Sequence, residues 1–507
     1  MHFPSLPEPG KNISPAFHDV NSARAWLATQ PQAQPSNMLS ALCRQIAAID
    51  ATAQLPSSAL EQLNLMRTAA IPAVETLEAR FNRKALPMPD EDQRSFELVQ
   101  QFWTRLGIAY LRLVADLSPG SQSLALNRAA SAIRMAEYCH FQAARECPEL
   151  LDRLLFEVLA QASQHKLLLQ ALADPDFPHL GEANIAGHLS WAFLLRLIDP
   201  YHLSANQLVV ANRAISRWRE LCDFQFAREN DPKSPTVDLT RLLGSPLPAD
   251  SPRWLNVRPL VRKSRGRIAA IAAGESLDAL KLGRELSPTA CIRLLEEINA
   301  SVYGQPDQPS TEIGEIELSF GCENAYAVFR EESLNSPDGM DATSASLAHQ
   351  RMALFGFDRV SQMPTAVKTL NVPGEIWNLV DGKAIRSAEQ AGARHHSPCL
   401  IASRQNGNPR LGVMLGLQST GSGALAAKLQ WFEGRVEAGW LKQGETKIPA
   451  FLLRNNGDLS LILPTNARPR LDLPCALEDT SINRPVPTEV LERGMDFVLY
   501  TCRLATK

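Results

Sequence analysis

The stretch LAAKLQWFEGRVEAGWLKQ, Leu425 to Gln443, alternates apolar and polar residues on both sides of Glu433-Gly434. A period of two is the mark of a half-buried strand, because successive side chains of an extended chain point to opposite faces of a sheet. With a two-residue turn at Glu433-Gly434, Trp431 faces Val436, Leu429 faces Ala438 and Ala427 faces Trp440. Lys428 and Gln430 then share the other face with Gly439 and Glu437. The stretch predicts a hairpin inside a β-rich carboxy-terminal half.

The same period extends outward from there. In EIELSF, Glu315 to Phe320, the apolar Ile316, Leu318 and Phe320 alternate with polar neighbours. Asn-Gly pairs in QNGNP, Gln405 to Pro409, and NNGD, Asn455 to Asp458, mark two further hairpins. Several strands at this spacing predict a small antiparallel barrel or sandwich.

Before about Gln305 the period is helical. Phe96, Val99, Trp103, Leu106, Tyr110, Leu113 and Leu117 follow steps of three and four, which draws one apolar stripe along a long helix. Asp90 or Asp92 is expected to cap it, and Ser118-Pro119-Gly120 to end it. Further helices are expected over about 122–143, 149–172, 182–198, 204–229, Gly266 to Ala273 and Ser287 to Ser301. WTRLGIAY, Trp103 to Tyr110, matches the opening of a tetratricopeptide repeat, but no second copy occurs one period away, so these residues read as core. Short breaks between the helices favour antiparallel neighbours in an array.

Two polar stretches punctuate the chain. Asp231 to Arg258 is rich in proline and serine and reads as an irregular connection with one short helix at most, and Arg330 to Arg351 as a flexible linker. The expected organisation is an α+β multidomain protein with an all-α helical array at 1–304 and a strand, short helix and linker at 305–350. An antiparallel β-barrel at 351–445 and a carboxy-terminal β extension at 446–507 complete it.

Composition narrows the function. Hydrophobic residues at 45% and charged ones at 21% describe an ordinary globular chain, and 507 residues require several cores. A net charge of -3 gives no global attraction to DNA, RNA or an anionic membrane. The local exception is RPLVRKSRGR, Arg258 to Arg267, which reads as a solvated face or helix start, with phosphate binding as a lesser role. MHFPSLPEPGKNISP lacks the features of a secretory signal, which predicts a cytoplasmic protein. GHLSWAFLLRLIDP carries His188 and Arg196 and is too short to span a bilayer, so it reads as a buried helix. The nine cysteines form no C-x-x-C and no cysteine-histidine cluster, and read as small buried hydrophobes with no metal site. His395-His396 reads as part of a polar loop, because neighbours on a strand point to opposite faces and chelate one metal poorly. H-E-x-x-H, G-x-S-x-G, Walker and dinucleotide fingerprints are all missing, so the chain is not expected to be an enzyme or to need a cofactor.

The order of pieces in the second half carries a resemblance. A polar arm with Arg351 and Arg359 leads into IWNLVD, Ile376 to Asp381, then a loop, a CLIAS strand, RLGVMLGL and the stretch around Glu433-Gly434. This order resembles the PilZ family of cyclic di-GMP receptor barrels, in the long form with a helical region in front. The resemblance implies a dinucleotide held by an R-x-x-x-R arm and a D-x-S-x-x-G loop. Arginine's planar fork suits phosphate and the Hoogsteen edge of guanine, while the loop adds an acceptor, a donor and a permissive glycine. In LVDGKAIRSAEQAG, Leu379 to Gly392, Asp381 takes the aspartate position, but Lys383 stands where the serine belongs and Arg386 where the glycine belongs. Arg351 and Arg359 are also too far apart for the family's arm. The resemblance therefore implies a signalling or adaptor protein with a degenerate cyclic di-GMP site at Arg351, Arg359, Asp381, Lys383 and Arg386, and a protein partner for the helical half. The alternative is a helical scaffold for protein partners that binds no nucleotide, with LVDGKAIRSAEQAG a plain connection between strands.

Overall fold

The computed structural model describes residues 6–10, 13–52, 58–229, 234–303, 313–331, 333–335, 365–367, 374–380, 382–390, 394, 396–405, 408–444 and 446–505. The chain divides into two units, Met1–Arg83 with Met88–Asp307, and Lys84–Pro87 with Gln308–Lys507.

Eight long helices form the bulk of the first unit: α1 (Val20–Ala28), α2 (Pro35–Asp50), α3 (Ala59–Phe81), α4 (Asp90–Leu113), α5 (Pro119–Gln142), α6 (Glu149–Gln164), α7 (Ile185–Leu197) and α8 (Ala205–Trp218). The stripe from Phe96 to Leu113 is α4, and its Trp103, Leu106 and Tyr110 are core residues as expected. Its start differs from expectation. Neither Asp90 nor Asp92 caps it; Pro89 occupies the cap position, and Asp90, Glu91 and Asp92 lie in the first turn, where their charge favours the positive end of the helix. α5 follows with Ser118 as cap and Pro119 at its first position, a pairing preorganised for helix. It packs against α4, and Gly107 permits the approach, since a Cβ there would lie 2.7 Å from Ile133 Cγ1.

From Leu124 onward α5 is buried on nearly every side, so its polar side chains must find partners inside the protein. Arg128 and Arg67 of α3 both reach Asp174, at 2.6 Å each, and Arg67 also holds Asp176 at 2.5 Å. Glu137 and Asp152 share Arg196, again at 2.6 Å each. Arg134 stacks on Trp191 with its guanidinium carbon 3.5 Å from the ring centroid. The bonds to Asp174 and Asp176 tie the loop carrying DPDFPH to α3 and α5, and Arg196 ties α7 to α5 and α6.

Two helical expectations overran. α6 stops at Gln164, and Leu172–Ala173 pairs with Glu182–Ala183 as a small ribbon. α8 stops at Trp218, and Asp223–Gln225, Thr236–Asp238 and Trp254–Asn256 form a three-stranded sheet across the stretch read as irregular. α9 (Leu239–Leu243) lies within that stretch. α10 (Arg258–Ala272) begins earlier than expected and contains the whole basic run, with Leu260, Val261, Ser264 and Ile271 buried and Arg258, Arg262, Lys263 and Arg265 exposed. α11 (Pro288–Tyr303) closes the unit.

The second unit is β-rich. Strands β1 (Gly314–Phe320), β2 (Glu375–Val380), β3 (Lys383–Arg386), β4 (Cys399–Gln405), β5 (Asn408–Ser419) and β6 (Leu425–Trp431) close into an antiparallel barrel in the order β3-β6-β5-β4-β1-β2. Strands β7 (Arg435–Gln443), β8 (Thr446–Asn455), β9 (Asp458–Pro464), β10 (Ala476–Glu478), β11 (Pro485–Arg493) and β12 (Phe497–Leu504) form a second sheet ordered β10-β7-β8-β9-β12-β11. The expected α+β architecture, a helical array followed by an antiparallel barrel and further carboxy-terminal strands, is borne out. The Asn456-Gly457 turn is where it was read, since Asn455 pairs with Asp458, and Gln405 pairs with Asn408, with Asn406 and Gly407 outside the described residues.

The hairpin at Glu433-Gly434 does not form. β6 pairs with β5 and β3, whereas β7 pairs with β8 and β10, so Trp431 lies opposite Gly412 and Val436 opposite Leu453. Phe432 still donates to Leu411 of the barrel, and Arg435 already pairs with Arg454 of the second sheet. Glu433-Gly434 is a crossing between sheets, and Gly434 makes it at φ +88, where an added Cβ would meet the Arg454 carbonyl at 2.2 Å.

Helix α12 (Cys322–Arg330) packs between the two sheets. Its Ala325, Tyr326 and Val328 share one core with Leu400, Ala402 and Val413 of the barrel and with Trp440, Phe451 and Ile462 of the second sheet. Leu400, Ile401 and Ala402 are buried in succession, as expected of a strand covered on both faces. A further core, with Leu452, Leu461, Val498 and Tyr500, covers the other face of the second sheet. β11 ends that sheet with two irregularities, between Pro487 and Glu489 and between Val490 and Glu492. The stretch read as a linker lies outside the described residues except for Arg330, Glu331 and Ser333–Asn335, which pairs with Thr365–Val367.

Candidate functional site

Strand β3 is four residues long, and this fixes where its two cations go. Lys383 sits at the turn end, paired with Val380 and exposed; Arg386 sits at the far end, opposite Leu425. Three residues along a strand span about 10 Å and reverse the side-chain direction, so the two do not converge. Arg386 shares the face of the buried Ala384. Arg351, Arg359 and Asp381, the other residues read from the sequence, lie outside the described residues.

What gathers around Arg386 is a group that the sequence did not announce. Glu375, the first residue of β2, takes the Arg386 Nη1 at 2.8 Å, a bond from Arg394 Nη2, and the Trp377 indole N–H at 3.2 Å. The guanidinium of Arg394 lies over Phe320, 3.6 Å from the ring centroid. Phe320 meets Trp377 at 5.8 Å between centroids, both of them buried. Arg394 is fixed by its backbone as well, through reciprocal 2.7 Å bonds with Leu86, a residue of the same unit.

Antiparallel pairing of β2 with β3 puts Glu375 and Arg386 at the same end of the barrel. Two planar guanidinium forks and one indole N–H thus point at a single pair of oxygens, an arrangement fit for a carboxylate or for the non-bridging oxygens of a phosphate. Only Arg386 of this group could be found from the motif. Glu375 and Arg394 stand in no fixed spacing to it and meet it through barrel closure.

His396 is fully buried, contrary to the expectation of a polar loop; His395 lies outside the described residues. Among the described residues no group of three or more histidines, cysteines, aspartates or glutamates is placed to hold a metal. All nine cysteines are free, eight of them buried, as small core residues should be. GHLSWAFLLRLIDP supplies most of α7, which is buried, and no helix among the described residues is long and apolar enough to cross a membrane.

The protein is thus one with a helical array ahead of a closed six-stranded barrel and a second six-stranded sheet. Residues 21–231 match the family described as "Cyclic-di-GMP receptor FimW, N-terminal domain", a span that begins in α1 and runs past α8. No curated protein and no solved structure matches the chain.

Proposed function

We propose that the protein is a non-catalytic cyclic di-GMP receptor of the cytoplasm, in which a PilZ-like barrel takes the dinucleotide and the helical half engages a protein partner. The observation that carries this reading is the similarity of residues 21–231 to the amino-terminal domain of a cyclic di-GMP receptor. A closed barrel downstream supports it, because the resemblance read from strand order in the second half required one. The ligand residues proposed are Arg351, Arg359, Asp381, Lys383 and Arg386. The arginines and the lysine serve phosphate or base, and Asp381 serves as acceptor.

Binding is expected to be weak and to fall with salt. Replacing the family's serine by Lys383 removes hydrogen bonds to the ligand, and each one that leaves a buried group unsatisfied forfeits about 1–3 kcal/mol. The exposed charge of Lys383 returns part of this only while the Debye length is long. Calorimetry of cyclic di-GMP with the full chain at low and high salt tests the reading. Affinity should drop as salt rises, and drop further in the Arg351→Ala/Arg359→Ala variant. The second reading, a scaffold without nucleotide, draws support from the separation of Lys383 from Arg386 and from the Glu375 partner of Arg386; it predicts no heat at any salt.

A further inference from the structure

We propose that Arg394 joins Arg386 as a paired guanidinium clamp for a phosphodiester of the dinucleotide, and that Glu375 is the internal carboxylate which that phosphate displaces. The inference rests on the receptor reading above and adds to it two residues that no motif assigns.

Charge is the first argument. Glu375 is an anion held between two guanidiniums, so its carboxylate marks a place where both cations accept a negative group. A phosphodiester has one negative charge and two non-bridging oxygens, as a carboxylate does, and can take one nitrogen from each guanidinium as Glu375 does. Exchange of one for the other leaves the number of charge-assisted bonds unchanged.

The second argument is an unmet donor. Among the described residues, Arg394 Nε is shielded from solvent and has no hydrogen-bond acceptor, so Glu375 does not exhaust what this guanidinium offers. A buried donor without an acceptor is costly, and a ligand that supplies one gains by that amount.

Preorganisation and access complete the case. The Phe320 ring and the Leu86 backbone already hold Arg394, so little of its freedom remains to be lost on binding. The side chains of Arg386, Arg394 and Glu375 keep 13%, 20% and 18% of their surface exposed, so an anion in solution can reach them. Glu375 sets the threshold, because a ligand must compete with a carboxylate whose local concentration is that of an attached side chain.

The test is a calorimetric titration of cyclic di-GMP into the full chain at one fixed salt concentration. Arg394→Ala and Arg394→Gln should each weaken binding about tenfold or more, as loss of one member of a charge-assisted pair does. Glu375→Gln should tighten it by about tenfold, since the amide keeps an acceptor for Trp377 but no longer competes as an anion. A gain of affinity cannot come from misfolding, which keeps the test sound if an Arg394 variant is unstable. If the wild type binds and Arg386→Ala weakens it, while Glu375→Gln and both Arg394 variants bind like the wild type, the clamp is wrong and the receptor reading stands. Should neither the wild type nor Glu375→Gln bind at millimolar ligand, the receptor reading falls and the clamp falls with it.

Discussion

Asp174→Ala is expected to destabilise the helical unit by about 3–5 kcal/mol, the cost of leaving buried charge without its partner. Asp174 is the shared acceptor of Arg67 and Arg128, whose side chains are only 1% and 5% exposed. Burial alone would raise the pKa of Asp174, but the hydrogen bonds and charge of Arg67, the charge of Arg128 and the bond from the Asp176 amide outweigh it and hold the carboxyl below its usual range. A depressed carboxyl stabilises the fold above its unfolded pKa, and that contribution is lost only as the pH falls through the lower folded value. At neutral pH the full effect is therefore present. Removing the carboxylate leaves two guanidiniums with Asp176 as the remaining carboxylate of this group. Urea unfolding of the variant gives the value directly, and a midpoint within about 1 kcal/mol of wild type would mean that water satisfies these cations.

Asp496→Asn is expected to behave in the opposite sense, gaining on the wild type as the pH rises. Burial pushes the Asp496 pKa up from 3.8 to about 6, against the bonds that it accepts from the Leu400 and Cys322 amides, with Glu323 adding a smaller like-charge contribution. Its Oδ2 is buried and accepts no hydrogen bond among the described residues. The folded chain therefore holds this proton at a pH where the unfolded chain has released it, so stability is greatest below the unfolded value and declines through the folded one. Asparagine has no proton to lose and keeps the Oδ1 acceptor. The difference between variant and wild type should grow by about 2–3 kcal/mol between about pH 4 and about pH 7.5. Unfolding followed by tryptophan fluorescence at the two values checks it, and a constant difference would place the Asp496 carboxylate in contact with solvent.

The fold was legible wherever one local pattern admitted one partner. The stripe along Phe96 to Leu113 could only be a helix, and Asn456-Gly457 could only be a tight turn, since both residues take positive φ, at +48 and +99. Glu433-Gly434 failed for the complementary reason. Alternation tells which residues share a face but not which strand lies beside them, and any sheet with the right face satisfies it. The missing signal was Glu433 itself, a residue poorly suited to the first position of such a turn. The overrun of α8 has a similar origin, because the partners that draw Asp223–Gln225 into a sheet lie beyond the next break in the chain.

The candidate site was less legible than the fold. Arg386 could be found by carrying over a motif, but its consequence depends on Glu375, and Glu375 in turn on Arg394. Neither lies at a spacing that a motif defines, and a guanidinium over a ring, as Arg394 is over Phe320, leaves no trace in periodicity. The helical half shows the same limit at Arg67 and Asp174, a pair 107 positions apart in sequence that no local spacing announces.

The crossing at Glu433-Gly434 also bears on the order of assembly. Strands β7, β8 and β9 are joined in sequence by short turns, so their ladder costs little loop-closure entropy. The barrel closes only when Phe320 of β1 finds Ile401 of β4 across a long intervening chain. Short-range pairing is the faster process. In a refolding experiment with pulsed hydrogen exchange, amides of Thr446–Asn455 should gain protection before that of Leu318. Simultaneous protection would mean that α12 nucleates both sheets at once. On the expected order, the sheet that forms first supplies the surface on which the barrel closes.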